Sequence, residues 1–386
     1  MNISFGLAAL AAAFASFYAC VEGYLLLRAL SQRITDKPRR KMLLWIFWPV
    51  FLLGAGLYFY FSYSTGALRS LYSLAASYWG LFILIPFFIL SDILCLGGVL
   101  FSRASGKANG RAFGKTFGLR VRIIVLALAA VTIVSGSFAA RFPTVTRYCI
   151  AVEKPLPKNG LRVILVSDLH IGSMVHKKEL RRIVSGINSL GGDLVFIAGD
   201  INDRDMEVYK KENLNGEMAG IKAPLGVYAV PGNHDYFGGV SGELKQYLAA
   251  AGIKLLVDEA VLVDDAFYVI GRNDLSVSRR GPKRKPLSEL IKNLDSSLPL
   301  IVMDHQPMNL GEAEAAGIDL QVSGHTHHGQ IWPGPVITRR IYEDDYGLLY
   351  KGKTAIIVTS GCGTWGPPLR IGTKSEIVCI DLKSVR

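Results

Sequence analysis

Three histidines lie within four positions of the segment VSGHTHHGQIWPG, residues 322–334. They are His325, His327 and His328. Histidine is the commonest metal ligand among side chains, and it titrates near neutral pH. The cluster therefore indicates metal binding, proton transfer or both. A His-x-His pair on its own fits a solvated polar turn equally well, so the interpretation depends on the rest of the chain.

Other residues that can bind metals or move protons follow earlier apolar runs. They are Asp168 and His170, then Asp200, then Asn233, His234 and Asp235, and then His305. Each piece is weak evidence alone, because an aspartate after a strand often caps a helix and Gly-Asn-His-Asp can be a simple turn. Together with His325 and His327 they make five pieces, each at the end of a short apolar run. This arrangement predicts one shared site.

The apolar runs have the pattern of strands in a soluble α/β domain. Residues 161–168 and 192–200 are short, β-branched and end in an acid, and residues 177–190 between them have helical periodicity. Strand, helix and strand in this order predict a parallel pair with both acids at the carboxyl ends, where α/β sheets bind ligands. Further strands are predicted at residues 226–232, 266–271, 299–305, 320–325 and 354–361.

The excess of positive charge and the histidines lie in different parts of the chain. Residues 1–150 contain 15 Lys and Arg against three acids, whereas residues 151–386 contain 28 residues of each sign. The formal net charge of +12 therefore lies entirely in the first part, and all seven histidines lie in the second. A neutral second part without a basic stripe interleaved with aromatic residues argues against nucleic-acid binding.

The first part has the pattern of a membrane region. Four apolar stretches are long enough to cross a bilayer as helices, which takes about 20 residues: residues 5–27, 42–61, 78–101 and 121–140. The loops at 31–41 and 102–122 are strongly basic, and the positive-inside rule predicts that they are cytoplasmic. We therefore expect a multi-pass protein of the cell (inner) membrane, with everything after residue 140 on the extracytoplasmic side.

Two acids, Glu22 and Asp92, lie within these apolar stretches. A charge in hydrocarbon is costly, so such an acid indicates a proton or substrate path, as in a transporter, or else a buried pair or a position near a helix end. Two isolated acids do not make a relay. The sequence favours the second interpretation.

Four longer motifs surround the candidate residues: SDLHIG, PGNHDY, DHQP and SGCGTWGPPLRIGT. The region that contains them, roughly residues 145–386, resembles the calcineurin-like metallophosphoesterase superfamily, and in particular its membrane-associated bacterial branch of phosphodiesterases such as YaeI and YkuE. The resemblance implies an α/β fold, a four-layer α/β/β/α sandwich of two mixed sheets, in residues 144–386. An all-α membrane region of about four transmembrane helices precedes it in residues 1–143. His328 departs from the branch, which usually has glycine at this position.

The resemblance also implies a role for each site residue. Asp200 would bridge two divalent metal ions. The first ion would be bound by Asp168, His170 and His327, and the second by Asn233, His305 and His325. A hydroxide held between the ions would attack phosphorus, while His234, oriented by Asp235 or another acid, would stabilise the phosphoryl group or protonate the leaving group. His328 is left without a required role.

The donor set and the resemblance together indicate the metal and the reaction. Oxygen and imidazole donors without a thiolate suit manganese, iron or zinc, and the resemblance favours manganese. It implies a phosphodiesterase, with a phosphomonoesterase or a UDP-2,3-diacylglucosamine pyrophosphatase-type hydrolase as alternatives. The nucleotide-lipid of the last alternative is made on the cytoplasmic side, which conflicts with the expected topology. A catalytically silent binding module would lack a metal ligand, and none is missing.

The spacing between the two parts favours a substrate at the membrane. Only about 20 residues separate Ala140, near the end of the fourth apolar stretch, from Leu161, where the first site strand begins. The domain must then lie close to the lipid bilayer, which favours a lipid or cell-envelope phosphodiester, although simple retention at the envelope would give the same spacing. Residues 272–285, RNDLSVSRRGPKRK, carry six basic residues and either gather anionic headgroups or form a solvated loop.

Overall fold

The computed structural model describes residues 86–87, 89–98, 100–101, 104 and 110–386, apart from short gaps at 158–159, 173–174, 204–205, 237–240, 280–283 and 386. The chain divides into two compact units, Met1–Val134 and Ser135–Arg386. The apolar stretches predicted at residues 5–27 and 42–61, together with Glu22, lie outside the described residues.

Parts of the third and fourth predicted apolar stretches are helical. Ile89–Gly98 belongs to the third stretch. Helix α1, Gly110–Arg141, contains the fourth, and its segment Phe117–Arg141 is the one helix in the described part of the chain that is long and apolar enough to cross a membrane. The prediction of four transmembrane helices is therefore not confirmed. In the first unit, Arg122 Nη2 donates to Asp92 Oδ1 at 3.0 Å, so this acid is paired.

The described residues of the second unit form two six-stranded sheets. In sheet 1 the strands are, in spatial order, β1 (Thr144–Val152), β12 (Glu376–Ser384), β2 (Gly160–Val166), β3 (Leu194–Ala198), β4 (Val227–Val230) and β5 (Ile253–Leu255). In sheet 2 the order is β10 (Gly347–Lys351), β11 (Thr354–Val358), β9 (Leu320–Ser323), β8 (Leu300–Met303), β7 (Phe267–Gly271) and β6 (Glu259–Val263).

Parallel pairing brings the carboxyl ends of the central strands to one edge of each sheet. Strands β2, β3 and β4 are parallel in sheet 1, and β7, β8 and β9 are parallel in sheet 2. The parallel pair predicted for residues 161–168 and 192–200 is confirmed, with Ile164 opposite Val195. Both sheets are mixed, because β12 pairs antiparallel with β2 and β6 pairs antiparallel with β7.

Helices cover the outer faces of the sheets. They are α2 (Lys177–Ser189), α3 (Glu207–Lys211), α4 (Asn215–Met218), α5 (Ser241–Ala250), α6 (Leu287–Ile291) and α7 (Gly311–Ala315). Helix α8 (Gly334–Ile341) instead follows the turn after β9. Apolar residues of α2 recur every three or four positions, which puts Leu180, Ile183 and Ile187 on one buried face. This periodicity is why the segment folds as a helix that packs on a sheet.

Three buried clusters confirm the predicted layering of helices and mixed sheets. In the first, Leu180 of α2 packs with Ile164 of sheet 1. In the second, the inner faces of the two sheets meet, and the cluster includes Phe196 and Val269. In the third, Leu287 of α6 lies with Val302 of sheet 2. The strands are therefore buried on both faces, and polar side chains needed for chemistry come from the loops that follow them.

Candidate metal centre

The candidate residues all follow strands whose carboxyl ends meet at one place. Asp168 and His170 follow β2, Asp200 follows β3, His305 follows β8, and His325 and His327 follow β9. Five of these residues have a left-handed backbone: φ is 54° at Asp168, 46° at His170, 48° at Asp200, 72° at His325 and 49° at His327. Such values are uncommon outside glycine and cluster at functional sites, because the surrounding fold must enforce them.

One group of ligand atoms belongs to Asp168, His170 and His327, which lie within 4.8 Å of one another. The Nε2 atoms of His170 and His327 are 3.0 Å apart, and His327 Nε2 is 3.5 Å from Asp168 Oδ1. Two imidazole lone pairs facing each other beside a carboxylate repel unless a proton or a metal cation lies among them. The donor types therefore fit a divalent metal ion.

A second group consists of Asp200, His305 and His325. His305 Nδ1 lies 2.7 Å from the carbonyl oxygen of Ala198, which assigns the ring proton to Nδ1 and the lone pair to Nε2. That Nε2 is buried, 3.3 Å from Asp200 Oδ2, and makes no hydrogen bond to the described residues. Asn233 Oδ1 is likewise buried without such a bond. Both atoms are suited to metal coordination.

Asp200 lies between the two groups. Its Oδ2 is 3.8 Å from His170 Nε2 and 3.3 Å from His305 Nε2, the arrangement expected of a shared ligand. Its Oδ1 accepts a hydrogen bond from the backbone N–H of His234 at 2.8 Å. Burial alone would raise the pKa of Asp200, but the imidazoles of His305 and His170 hold it well below its ordinary value. The carboxyl group is therefore ionised, as a bridging ligand requires.

His234 is oriented by Asp203, a residue that sequence reasoning missed. His234 Nδ1 is 3.2 Å from Asp203 Oδ1 and 3.1 Å from the Asp203 carbonyl oxygen. His170 Nδ1 lies 3.6 Å from the same carboxylate, so Asp203 contacts one candidate ligand and the candidate acid. The sequence feature that points to Asp203 is its position three residues after Asp200, in the same loop after β3.

Asp235 does not orient the ring of His234, and the structure corrects that alternative. Its carboxylate instead accepts hydrogen bonds from the backbone N–H groups of Gly232 at 2.8 Å, Asn202 at 2.8 Å and Ile201 at 3.3 Å. Burial and the neighbouring Asp200 carboxylate raise the pKa of Asp235 to about 7. Asp235 therefore ties the loop after β4 to the loop after β3.

Two glycines make room for the carboxylates. A Cβ atom on Gly324 would lie 1.9 Å from Ser167 Oγ and 2.5 Å from Asp168 Oδ2, and a Cβ atom on Gly232 would lie 2.1 Å from Asp200 Oδ1. Any side chain at these positions would displace a candidate ligand. Gly232, before Asn233 and His234, and Gly324, before His325, are therefore required by close approach.

His328 lies outside both ligand groups, as expected for a residue without a metal role. Its ring stacks on Tyr346 with 4.3 Å between the ring centroids. The residue is half-buried, and burial lowers its pKa. The histidine that departs from the family pattern thus packs against an aromatic side chain beside the site.

The basic segment 272–285 is not a uniformly solvated positive surface. Arg272 is buried and ion-paired with Glu312 at 2.8 Å, and Arg284 Nη2 is 2.6 Å from Asp304 Oδ2. Arg272 and Arg284 therefore pair with acids of the protein itself, and headgroup binding by this segment stays a prediction. Residues 280–283 lie outside the described part of the chain.

Comparisons with known proteins agree with this geometry. Residues 161–329 match the family of calcineurin-like phosphoesterases. An uncharacterized metallophosphoesterase of Aquifex aeolicus (strain VF5) is 33% identical over 63% of this chain and 92% of the relative. The uncharacterized metallophosphoesterase YkuE of Bacillus subtilis (strain 168) is 28% identical over 58% of this chain and 80% of the relative, which confirms the resemblance to its branch.

A further relative is a transmembrane protein with metallophosphoesterase domain from Danio rerio, 33% identical over 68% of this chain and 63% of the relative. The chain spans 60 to 63% of the length of three curated relatives, this one included. The match to the Aquifex protein extends over nearly its whole length, and the structure has groups of His and Asp residues that could bind metal ions. The chain therefore belongs to the calcineurin-like phosphoesterases, a dimetal-dependent family.

Proposed function

We propose that this protein is a membrane-anchored phosphodiesterase that hydrolyses a lipid or cell-envelope phosphodiester. It would use two divalent metal ions, and manganese is the metal that we expect. The observation that carries the proposal is the position of Asp200 between two groups of metal-ligating atoms. A shared carboxylate holds two cations close together, and paired cations are suited to phosphoryl chemistry.

The two ligand groups define which residues would hold the metals. Asp168, His170 and His327 would hold one ion, and His305, His325 and Asn233 the other, with Asp200 shared. Bound there, the ions would neutralise phosphoryl oxygens and lower the pKa of water. The ligand side chains are buried or half-buried, which would strengthen their electrostatic attraction to bound metal cations.

His234 supplies the protein's own proton chemistry. The Asp203 carboxylate and carbonyl group both face Nδ1, which leaves Nε2 as the ring nitrogen that exchanges a proton with the substrate. In hydrolysis, a water oxygen bonds to phosphorus and the bond to the leaving oxygen breaks. The attacking water gives up one proton to solvent, the proton from Nε2 goes to the leaving oxygen, and Nε2 is reprotonated from solvent afterwards. The negative charge of Asp203 stabilises the imidazolium before this transfer.

The proposed anchor is the helix segment Phe117–Arg141, which is long and apolar enough to span a bilayer. The last turn of this helix belongs to the second unit, where Ser375 Oγ donates to the carbonyl oxygen of Ala140 at 2.9 Å. The Danio rerio relative, named as a transmembrane protein, supports the same placement. We further propose that the catalytic unit lies outside the cytoplasm, as the basic loops imply.

The proposal is tested with the full-length chain purified in detergent, stripped of metal and reloaded with manganese. We expect manganese-dependent hydrolysis of an aryl phosphodiester, faster than that of the matching monoester. Asp200→Ala should abolish turnover, and His234→Ala should keep bound metal but lose about 100-fold or more in rate. His176→Ala, at an exposed histidine paired with Glu212 outside the site, is the control.

Normal activity of the Asp200→Ala protein would contradict the two-metal mechanism. A faster rate on the monoester would instead make the protein a phosphomonoesterase. Cleavage of UDP-2,3-diacylglucosamine in preference to both aryl esters would favour the pyrophosphatase alternative and a cytoplasmic site.

A further inference from the structure

An exposed apolar surface lies beside the candidate metal centre. We call it the aromatic patch and define it by five side chains with their exposed fractions: Trp332 (63%), Val336 (44%), Ile337 (55%), Ile341 (61%) and Trp365 (45%). Single exposed apolar residues are ordinary, but a group that includes two tryptophans marks a surface that binds something.

Helix α8 gives the patch its shape. The inner side of the helix is anchored, because Pro335 is buried and Thr338 Oγ1 donates to Asp345 Oδ2 at 2.6 Å. On the outer side, Ile337 and Ile341 are one turn apart and Val336 and Arg340 are one turn apart, all of them exposed. The exposed side of the helix therefore carries three apolar residues and two arginines.

The polar side chain of Gln330 holds the backbone of Trp365 in place. Gln330 Nε2 donates to the carbonyl oxygen of Trp365 at 2.8 Å, and the backbone N–H of Trp365 donates to Gln330 Oε1 at 2.9 Å. Gln330 is two residues from Trp332 and adopts a left-handed backbone with φ of 52°. The loop after β11 and the turn after β9 are thus joined, so the patch is preformed.

The patch is continuous with the carboxyl end of helix α1, within the same compact unit, Ser135–Arg386. The backbone N–H of Trp332 donates to the carbonyl oxygen of Ile371 at 2.8 Å, and the N–H of Arg370 donates to that of Gly136 at 3.0 Å. A Cβ atom on Gly136 would lie 3.1 Å from the Ile371 side chain, so the two segments touch.

The carboxyl end of helix α1 also carries exposed aromatic residues. Phe138 and Phe142, at the end of α1, are 59% and 48% exposed. In a membrane-spanning helix this end marks the level of the bilayer surface, where aromatic side chains concentrate. Trp332, two hydrogen bonds away from α1, therefore lies near the same level.

The patch also borders the metal centre. Gly329, which follows the candidate ligand His327, packs so closely on Gly334 at the start of α8 that a Cβ atom on Gly329 would lie 2.1 Å from the Gly334 carbonyl carbon. At the other end of α8, the ring of Tyr342 is 5.9 Å from that of His325, centroid to centroid. Both ends of α8 thus contact the turn that carries the candidate ligands.

We propose that the aromatic patch lies in the bilayer interface, with α8 parallel to the membrane, and that it presents the metal centre to phosphate groups of anionic lipids. The inference rests on the proposed membrane anchor and deepens it by naming the substrate surface. An amphipathic helix with apolar residues and arginines is the usual element for this position. The exposed Arg340 supplies positive charge that anionic headgroups attract, and Arg339, with a side chain 67% exposed, lies 3.7 Å from Asp345 Oδ1.

The first experiment measures contact with lipid directly. The full-length chain carrying W45F, W48F and W79F, which retains only Trp332 and Trp365, is reconstituted into vesicles of phosphatidylcholine and phosphatidylglycerol with brominated acyl chains. We expect an about twofold or greater loss of tryptophan emission relative to vesicles without bromine. In the control chain all five native tryptophans are replaced by phenylalanine. A single tryptophan is introduced by Leu262→Trp, at an exposed position on edge strand β6.

Bromine quenching of Trp332 and Trp365 no stronger than that of the tryptophan at position 262 would overturn the inference. A blue shift of their emission that depends on protein concentration and not on lipid would overturn it too, because the patch would then be covered by a second copy of the chain. Failure of the chain to float with the vesicles would remove the proposed anchor as well as the inference.

The second experiment connects the patch to the reaction. In a variant with Ile337→Ser and Ile341→Ser, we expect the rate on a long-chain phosphodiester in vesicles, divided by the rate on a soluble aryl diester, to fall about tenfold or more. The matched control is Leu262→Ser, also at an exposed apolar residue. An unchanged ratio of the two rates would overturn the inference. If the unsubstituted chain hydrolyses neither substrate, the proposed phosphodiesterase activity is wrong, and the quenching result still stands.

Discussion

The guanidinium group of Arg370 donates a hydrogen bond to the backbone carbonyl oxygen of His327 at 3.2 Å, although Arg370 is only 1% exposed. The same guanidinium donates to the carbonyl oxygens of Ser360 at 2.6 Å and Gly363 at 2.8 Å. Burial lowers the pKa of Arg370 to about 10, so the group stays positively charged at neutral pH. Arg370 therefore holds the loop after β11 against a candidate metal ligand.

Arg370→Lys should weaken metal binding without abolishing the fold. Lysine keeps the charge but lacks the planar group that reaches several carbonyl oxygens at once. Residues that orient metal ligands are typically worth about 10- to 100-fold in metal affinity. Manganese titration of the purified protein measures the effect, and Arg339→Lys, at an exposed arginine, is the control. Equal manganese affinity of the Arg370→Lys and Arg339→Lys proteins would show that Arg370 does not orient a metal ligand.

Asp235→Asn should destabilise the second unit. Both carboxylate oxygens accept backbone hydrogen bonds, and the amide would place a donor opposite one of these N–H groups. A buried N–H left without an acceptor costs about 1–3 kcal/mol. Thermal unfolding of the metal-free protein measures the loss. Asp295→Asn, at an exposed turn residue that accepts from Ser297 N at 2.9 Å, should change the melting temperature far less.

Gly324→Ala should disturb the site through a steric clash. The added methyl group would meet Ser167 Oγ and Asp168 Oδ2, both on a buried loop behind the metal centre. Overpacking of this kind costs about 1–3 kcal/mol, and displacement of Asp168 should reduce bound manganese as well. Gly311→Ala is the matched control, since a Cβ atom at that position has nothing within 4 Å. If the Gly324→Ala protein binds as much manganese as the wild type, the predicted clash with Ser167 and Asp168 is wrong.

Asp344→Asn should make stability less dependent on pH. Burial raises the pKa of Asp344 to about 6, and its Oδ2 atom has no hydrogen-bond partner among the described residues. The folded state therefore binds this proton more tightly than the unfolded chain, so the group lowers stability as the pH rises from about 4 to 6. The variant should melt at a higher temperature than the wild type at pH 7, with the difference vanishing near pH 4.

The exposed turn variant Asp265→Asn controls for the removal of one negative charge from the protein. A gain in melting temperature that is the same at every pH, or that appears only at low pH, would contradict the assignment to Asp344.

The topology is tested by reporter fusions. Fusions after residues 70 and 150 should report an extracytoplasmic location, and fusions after residues 36 and 110 a cytoplasmic one, because the basic loops are retained inside. A cytoplasmic signal at residue 150 would invert the arrangement and would favour a nucleotide-lipid substrate made on the inner side.

Much of the candidate site could be predicted because its residues carry local signals. Asp168, Asp200 and His305 each end a β-branched apolar run, and parallel strands place their carboxyl ends together. The helical periodicity of residues 177–190 is also local, and α2 spans Lys177–Ser189. No strand was predicted at β1, β5, β6, β10 or β12. These are mostly edge strands, and β12 pairs with β1 across the whole domain, Thr144 opposite Glu376.

The sequence by itself determined which residue types stand at the strand ends, because strand patterning and metal-ligand chemistry both depend on neighbours a few positions apart. The tertiary structure alone decided their supporting contacts. Asp203, rather than Asp235, faces His234, and Arg370 reaches His327 across 43 positions of the chain. It also decided that the apolar side of α8 faces outward beside the end of α1. Such contacts join segments distant in sequence, and only the packing of the sheets and loops brings them within bonding distance.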